Sequence, residues 1–108
     1  MKSLKFRSYL AKEILRGEKT VTWRLFDDKD LQEGDLLELV DWDTKMNFAT
    51  AEILEIREKP LSSITEDDFD GHEKFESKDE MLKTYKEFYG DSVDWVTFVK
   101  MIRFRLIS

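Results

Sequence analysis

A helix gives way directly to a strand at Gly17–Arg24, and this junction constrains the fold more than any other part of the chain. Apolar residues recur at helical spacing before it, with Ser8 as N-cap and Gly17 as left-handed C-cap, which predicts a helix over residues 9–16. In the strand that follows, alternation puts Thr20, Thr22 and Arg24 on one face, and Val21 and Trp23 on the other. A buried strand does not need this polar chemistry, whereas a small-ligand site does.

The remaining pattern predicts further strands and a second helix. Strands at 36–42 and about 48–58 should form a hairpin that Pro60 closes. Ser77 and Glu80 are spaced as a capping box, and an apolar stripe at helical spacing follows them. The last strand is predicted to have two faces, an apolar one with Phe98, Ile102, Phe104 and Leu106 and a basic one with Arg103 and Arg105.

These elements follow the order strand, helix, strands, helix, strand. Because strands and helices do not alternate one by one, a parallel sheet is not expected. We predict an α+β fold: a small mixed or antiparallel β-barrel of about five to six strands with two or three flanking helices, in one domain over residues 1–108. The segment 61–76 is acidic and irregular, with one helical turn expected near Ser63–Asp67.

Composition excludes several functional classes. Apolar residues make up 41% and charged residues 39%, which is typical of a globular chain rather than a disordered one. No cysteine is present, so disulfides, thiolate nucleophiles and zinc–thiolate sites are excluded. The sequence has neither an apolar run long enough for a membrane helix nor the apolar stretch of a signal peptide near Met1, and we expect a cytoplasmic protein without membrane contact.

Charge is unevenly distributed around a net value of −6. Residues 1–24 and 100–108 are basic, and the middle of the chain is strongly acidic. If the two ends meet in space, they form one basic face that suits a small anion or nucleotide better than a long nucleic-acid track. The acidic middle could equally be an ordinary solvated surface.

Lys19 and Thr22 could carry chemistry at the junction. A lysine partly enclosed there would have a lowered pKa and could act as a base, while a threonine hydroxyl is a nucleophile only when a base activates it. Strict alternation puts the two side chains on opposite faces, so they can meet only if the chain bends between Glu18 and Thr20. The spacing alone favours a structural interpretation, in which the lysine is a surface residue and the threonine is present for its β-propensity.

Four other residues are candidates for a pocket. Arg24 could bind a carbonyl, carboxylate or phosphate, or form a structural ion pair, and Trp23 could stack on a base or belong to the core. His72 is the only histidine, so a metal site is not expected, and Glu73 beside it could act as acid or base if burial raises its pKa. The neighbouring acids are expected to be solvated loop charge: Glu66, Asp67, Asp68 and Asp70.

The motif Gly17-x-Lys19-Thr20-x-Thr22-x-Arg24 resembles that of the ASCH domain family of PUA-like barrels. Further matches are Gly34-Asp35 at the start of a strand, the Gly71–Phe75 loop, the capped helix, and a last strand with Lys100 and Arg103. The resemblance extends from about Leu4 to the C-terminus. It implies a PUA-like β-barrel.

One branch of that family implies a function. Its members are amidohydrolases that remove the acetyl group from N(4)-acetylcytidine without a cofactor, using a lysine, a threonine and a glutamate. These fall on Lys19, Thr22 and Glu73, with Glu76 as the second choice for the glutamate. The resemblance also implies a substrate-binding role for Arg24; Trp23, where that branch has a smaller aliphatic residue, and His72 are further substrate-binding candidates.

Two alternatives remain beside the amidohydrolase. PUA-like barrels often bind RNA, and the basic candidates for such binding are Arg24, Lys100, Arg103 and Arg105. A nucleotide-ligand sensor without turnover is the other possibility. The expected partner in the first reading is a small modified nucleoside, and the expected oligomeric state is a monomer.

Overall fold

The computed structural model describes residues 1–107, which form five strands, two α-helices and two short 3₁₀ helices. In chain order these are β1 (Lys2–Phe6), α1 (Ser8–Leu15), β2 (Val21–Leu25), β3 (Leu36–Asp41), β4 (Asn47–Pro60), 3₁₀ helices at Leu61–Ser63 and Glu66–Phe69, α2 (Lys78–Tyr89) and β5 (Phe98–Leu106). No helix among these residues has the length and apolarity needed to cross a bilayer.

The five strands form one sheet in the order β1-β3-β4-β5-β2. β1 runs parallel to β3, and every other neighbouring pair is antiparallel, so the sheet is mixed and curves into a half-barrel. This confirms the predicted α+β class. β1 and β2 are its two edges, and the Arg24 Nη2 atom on β2 donates a hydrogen bond of 3.0 Å to the Lys5 carbonyl on β1.

The first helix begins one residue earlier than predicted. Ser8 is its first residue rather than its N-cap, and the extended residue before it is Arg7. The Ser8 hydroxyl instead donates to the Asp41 carboxylate at 2.7 Å, which ties the start of α1 to the end of β3. At the other end of the helix Gly17 has φ +78°, the left-handed conformation that the sequence predicted.

The predicted faces of β5 are partly wrong. Phe98 is 57% exposed and Leu106 is also exposed, whereas Val99, Met101, Ile102 and Phe104 are buried. The reason is that β5 lies inside the sheet with an apolar cluster on each side. Ile102 and Phe104 pack into one cluster, and Val99 and Met101 into the other. The strand therefore lacks a single polar face.

Two apolar clusters divide the interior. The first joins α1 to β1, β3 and β4, and the second packs α2 and the first 3₁₀ helix onto β2 and β5. β2 contributes Val21, Trp23 and Leu25 to the second cluster. Thr22 and Arg24 belong to neither cluster.

The acidic segment before α2 is more ordered than the sequence indicated. It contains two 3₁₀ helices instead of one turn, and Thr65 and Asp68 form a capping box at the second. Asp68 is not a solvated charge: it is 4% exposed and its carboxylate pairs with Lys59 at 2.7 Å. At α2, the Ser77 hydroxyl accepts from the Glu80 amide as predicted, although the Glu80 carboxylate accepts from the Glu76 amide rather than from Ser77.

Candidate functional site

The loop after the second 3₁₀ helix is hydrogen-bonded to the beginning of β2. The Gly71 carbonyl accepts from the amides of Thr20 and Val21, at 2.9 and 3.1 Å. Gly71 has φ +81°, and a Cβ there would collide with the Thr20 hydroxyl, so any other residue would strain the backbone and displace Thr20. The contact brings Glu73 to the helix–strand junction, which a strand pattern alone cannot predict.

Lys19 is enclosed at this junction. Its side chain is 1% exposed, and its Nζ donates to the Val21 carbonyl and to Glu73 Oε2, each at 2.7 Å. β2 begins only at Val21, so Lys19 lies outside the strand. The alternation of side chains between the two strand faces therefore does not apply to Lys19. The chain bends at Glu18, and the lysine side chain folds back along the start of β2 to reach the Val21 carbonyl. Lys19 is therefore not the surface residue that spacing alone favoured.

Glu73, rather than Glu76, is the carboxylate that contacts Lys19. Glu73 is about one-third exposed and bonds Lys19, whereas Glu76 is exposed and its amide donates to Glu80. Thr22 is buried on β2, one residue beyond the carbonyl that Lys19 bonds. Lys19 and Glu73 are thus in contact, and Thr22 follows the residue whose carbonyl Lys19 bonds.

Burial and ion pairing shift the pKa values of this pair. Desolvation lowers the pKa of Lys19, and the adjacent Glu73 carboxylate opposes that shift only in part. Burial acts to raise the pKa of Glu73, but the neighbouring Lys19 and His72 outweigh it and hold the pKa below its ordinary value. The condition under which the sequence made Glu73 an acid or base, a pKa raised by burial, is therefore not met in the free protein.

His72 and Trp23 form a stack inside the protein. Their ring centroids are 4.1 Å apart at an interplanar angle of 18°, and Phe69 packs on the same indole at 5.0 Å. Trp23 is 4% exposed and His72 is 9% exposed. Both rings are thus covered by protein, and this packing does not support the prediction that Trp23 stacks on a substrate base. Its indole is a core residue, the alternative that the sequence left open.

Arg24 is half-buried at the gap between the sheet edges. Besides its bond to the Lys5 carbonyl, its guanidinium lies 4.9 Å from the centre of the Phe6 ring. Its Nε is buried without a hydrogen-bond partner, and desolvation lowers the pKa of the group. It also lines a cavity of about 450 Å³ together with Phe26, Phe98 and Lys100. Arg24 therefore lines this cavity and has one N–H donor, at Nε, without a hydrogen-bond partner.

The basic residues of β5 are paired with acids. Lys100 Nζ lies 2.8 Å from Asp27, Arg105 lies 2.8 Å from Glu52, and Arg103 lies 3.8 Å from Glu55. Lys100 also donates to the Leu31 carbonyl. Each of these basic side chains therefore has an acidic neighbour, and a phosphate would have to compete with that carboxylate for it. Across residues 1–107, no group of three or more His, Asp or Glu side chains is arranged to hold a metal ion.

The backbone part of this site could not be predicted from the sequence. The carbonyls of Val21 and Gly71 position Lys19 and the Glu73 loop, and a carbonyl carries no signature in the residue letters. The only signal available was Gly71 itself, because a glycine inside an acidic loop marks a close approach or a left-handed turn.

Comparison with known proteins identifies the fold. No protein-family model and no curated protein matches the sequence. A DUF984-family protein from Enterococcus faecalis V583 superposes with a TM-score of 0.83 at 14% identity, covering 99% of this chain and 76% of that one. The ASCH domain from Lactobacillus crispatus JV V101 gives 0.70 at 20% identity, with coverages of 97% and 79%. ASCH from Zymomonas mobilis gives 0.68 at 15% identity, with coverages of 95% and 65%.

The chain therefore has an ASCH-like fold of the PUA-like type, as its motifs predicted. At these identities the similarity concerns the fold alone, and any activity has to be argued from the site.

Proposed function

We propose that this protein is an amidohydrolase that deacylates a modified nucleoside, with N(4)-acetylcytidine as the reference substrate. The observation that carries the proposal is the contact of 2.7 Å between Lys19 Nζ, which is almost fully buried, and Glu73 Oε2. Perturbed acid–base pairs of this kind cluster at functional sites. The ASCH-like fold supports the same reading, as does the burial of Thr22 one residue beyond the Val21 carbonyl that Lys19 bonds.

The pair can supply both a base and an acid. With one proton shared between them, Lys19 and Glu73 can exist as an ammonium with a carboxylate or as a neutral amine with a carboxylic acid. Desolvation lowers the pKa of Lys19 and so works towards the neutral form, whereas the lowered pKa of Glu73 keeps the ionised form as the resting state of the free protein. The neutral form is the reactive one, since it offers an amine that takes a proton and a carboxylic acid that gives one.

The reaction we infer has two stages. Neutral Lys19 takes the proton of the Thr22 hydroxyl while Oγ1 attacks the acetyl carbonyl, and Glu73 gives its proton to the exocyclic nitrogen as the carbon–nitrogen bond breaks. Cytidine leaves, and the acetyl group remains on Thr22 as an ester. Water then hydrolyses the ester to acetate and restores the threonine hydroxyl. In a variant of this scheme, Lys19 or Glu73 activates water directly and no ester forms.

Arg24 has a supporting role in either scheme. Alternation places it on the Thr22 face of β2, and it retains a buried Nε without a partner. A guanidinium there would stabilise the developing oxyanion or bind the pyrimidine oxygen. No cofactor or metal is needed for this chemistry.

The test is release of cytidine from N(4)-acetylcytidine by the pure protein. We expect turnover by the wild type and a fall of about 10²–10⁴-fold in kcat for Lys19→Met and for Glu73→Gln, because each loses one partner of the proton transfer. Glu76→Gln is the matched control, since Glu76 lies three residues away and is exposed, and it should retain wild-type turnover. Absence of turnover by the wild type would overturn the proposal.

The two alternatives give different outcomes. An RNA-binding module would bind an oligonucleotide with an affinity that falls steeply with salt. The ion pairs of Lys100, Arg103 and Arg105 argue against such a surface. A ligand sensor would bind the nucleoside, measured by calorimetry, without releasing cytidine.

A further inference from the structure

The His72 ring has a defined orientation and a defined tautomer. Its plane is fixed by the stack on Trp23, and its Nδ1 lies 2.7 Å from the Glu73 main-chain carbonyl. A carbonyl oxygen can only accept a hydrogen bond, so Nδ1 must carry the proton. In the neutral ring the other nitrogen, Nε2, is therefore an unprotonated acceptor.

This acceptor faces the catalytic carboxyl group. Nε2 lies 3.6 Å from Glu73 Oε1, while Oε2 of the same carboxylate accepts from Lys19 at 2.7 Å. As long as Glu73 is ionised, Nε2 and Oε1 are two acceptors without a proton between them. When Glu73 is protonated on Oε1, that hydroxyl can donate to Nε2, and the distance needs to close by less than an ångström to reach ordinary hydrogen-bond length.

We propose that His72 is a positioning residue that accepts a hydrogen bond from protonated Glu73 and thereby favours the neutral form of the Lys19–Glu73 pair. Its importance for catalysis rests on the proposed function, whereas the hydrogen bond itself does not. His72 neither touches the reacting atoms nor gains or loses a proton in this scheme.

The donors and acceptors of the neutral pair balance. A neutral Lys19 amine has two N–H groups and one lone pair. One N–H donates to the Val21 carbonyl and the other to Glu73 Oε2, both along contacts that already measure 2.7 Å. Lys19 gives up one proton and Glu73 takes one up on Oε1 by exchange with solvent, which reaches this side chain because it is 37% exposed. The Oε1 hydroxyl then donates to His72. The lone pair of Lys19 then has no partner within this set and is free to take the proton of Thr22.

His72 can hold this role only if it stays neutral. Burial and the cations Lys19 and Arg24 lower the pKa of His72 to about 4, and the Glu73 carboxylate opposes the shift only in part. The two aromatic neighbours of the ring carry no charge: Trp23 stacks on it, and Phe69 lies tilted against it with its centroid 6.4 Å away. The imidazole is therefore a neutral acceptor near pH 7.

The direct test is ¹⁵N NMR of the single histidine in the free protein, which needs no substrate. We expect the wild type to show the Nδ1-protonated tautomer at pH 7. In Glu73→Gln, Lys19 should donate to the amide oxygen, and the amide N–H₂ should then point towards His72 Nε2. The amide thereby mimics the protonated acid. The Nε2 resonance should then shift towards its hydrogen-bonded position. A proton on Nε2 in the wild type, or an unmoved Nε2 resonance in Glu73→Gln, would overturn the proposal.

The kinetic test compares two variants of the same aromatic stack. His72→Phe keeps a flat ring on Trp23 but has no acceptor, whereas Phe69→Leu alters the packing on that indole and leaves His72 in place. We expect His72→Phe to lower kcat about tenfold with little change in KM, which corresponds to one hydrogen bond. Phe69→Leu should retain kcat. Equal losses in both variants would show a packing role and contradict the proposal.

The two proposals fail in different ways. If the protein has no deacylase activity but the NMR signatures appear, the proposed function fails and the His72–Glu73 hydrogen bond stands. If deacylation occurs with the opposite tautomer, the positioning role fails and the amidohydrolase stands.

Discussion

Lys19 and Glu73 are 54 positions apart in the sequence, yet Nζ of the first lies 2.7 Å from Oε2 of the second. The contact exists because the Gly71 carbonyl accepts from the Thr20 and Val21 amides and so holds the Glu73 loop against the start of β2. The partners differ in exposure, since the lysine side chain is 1% exposed and the glutamate side chain 37%. That asymmetry determines how each responds to substitution.

Removing Glu73 should destabilise the protein more than removing Lys19. Glu73→Ala leaves an ammonium buried without a counter-charge, with an expected loss of about 3 kcal/mol in the free energy of unfolding. Lys19→Met removes the buried charge and leaves a carboxylate that water can reach, so its effect should be small. Urea unfolding measures both variants. The double variant is the control and should recover most of the Glu73→Ala loss; if it does not, the lysine is not the cause.

Substitution of Gly71 should disrupt the site and the fold together. In Gly71→Ala the new methyl group collides with the Thr20 hydroxyl at a left-handed backbone position. We expect a loss of about 2 kcal/mol or more and a displaced Glu73 loop with reduced turnover. Gly34→Ala is the matched control, because Gly34 has φ +89° with no atom near its Cβ position. A similar loss in both variants would show that the close contact is unimportant.

Thr22→Val separates the two chemical schemes. The variant keeps the shape of the side chain and removes only the hydroxyl. If Thr22 is the nucleophile, turnover should fall by several orders of magnitude, and mass spectrometry of acid-quenched wild type should detect an acetyl group on Thr22. Substantial turnover by Thr22→Val would identify water as the nucleophile instead.

Asp68 should contribute stability that is lost in acid. Lys59 and the Thr65 amide outweigh burial and lower the pKa of Asp68 to about 2, from an ordinary value of 3.8. Because the folded pKa lies below the unfolded one, the contribution of about 2 kcal/mol is present above pH 4 and disappears as the pH falls towards 2. Chemical unfolding of Asp68→Asn should show a flatter profile in that window. Asp67→Asn, the exposed neighbour, should retain the wild-type slope.

His72 should reduce stability in a higher pH window. Its pKa is about 4 in the folded protein and about 6.5 in the unfolded chain, so the unfolded state takes up the proton first. Stability is therefore unaffected above pH 6.5 and decreases by about 3 kcal/mol as the pH falls to 4. His72→Phe removes the only histidine and should flatten the curve there. If the free energy of unfolding of that variant falls with pH as steeply as in the wild type, the loss of stability comes from the carboxylates instead.

Much of the fold could be predicted because local patterns determine it. The left-handed Gly17, the N-cap at Ser77 and the ends of the hairpin strands all follow from residues close to them in sequence. The two-faced prediction for β5 was partly wrong. The face that carries the exposed Arg103 and Arg105 also carries Val99 and Met101, which pack into the second apolar cluster. Asp68 was misjudged for a similar reason, since Lys59, its partner, lies in a different element.

By itself the sequence determined the order of the elements and the α+β class, because both depend on short-range backbone preferences. It identified a bend after Glu18 only as the condition under which Lys19 and Thr22 could meet. Only the tertiary structure decided that Glu73 rather than Glu76 meets Lys19, and that Trp23 and His72 stack inside the protein. These contacts join segments about 50 residues apart through the backbone bonds of Gly71, and the residue letters of either segment carry no record of that pairing.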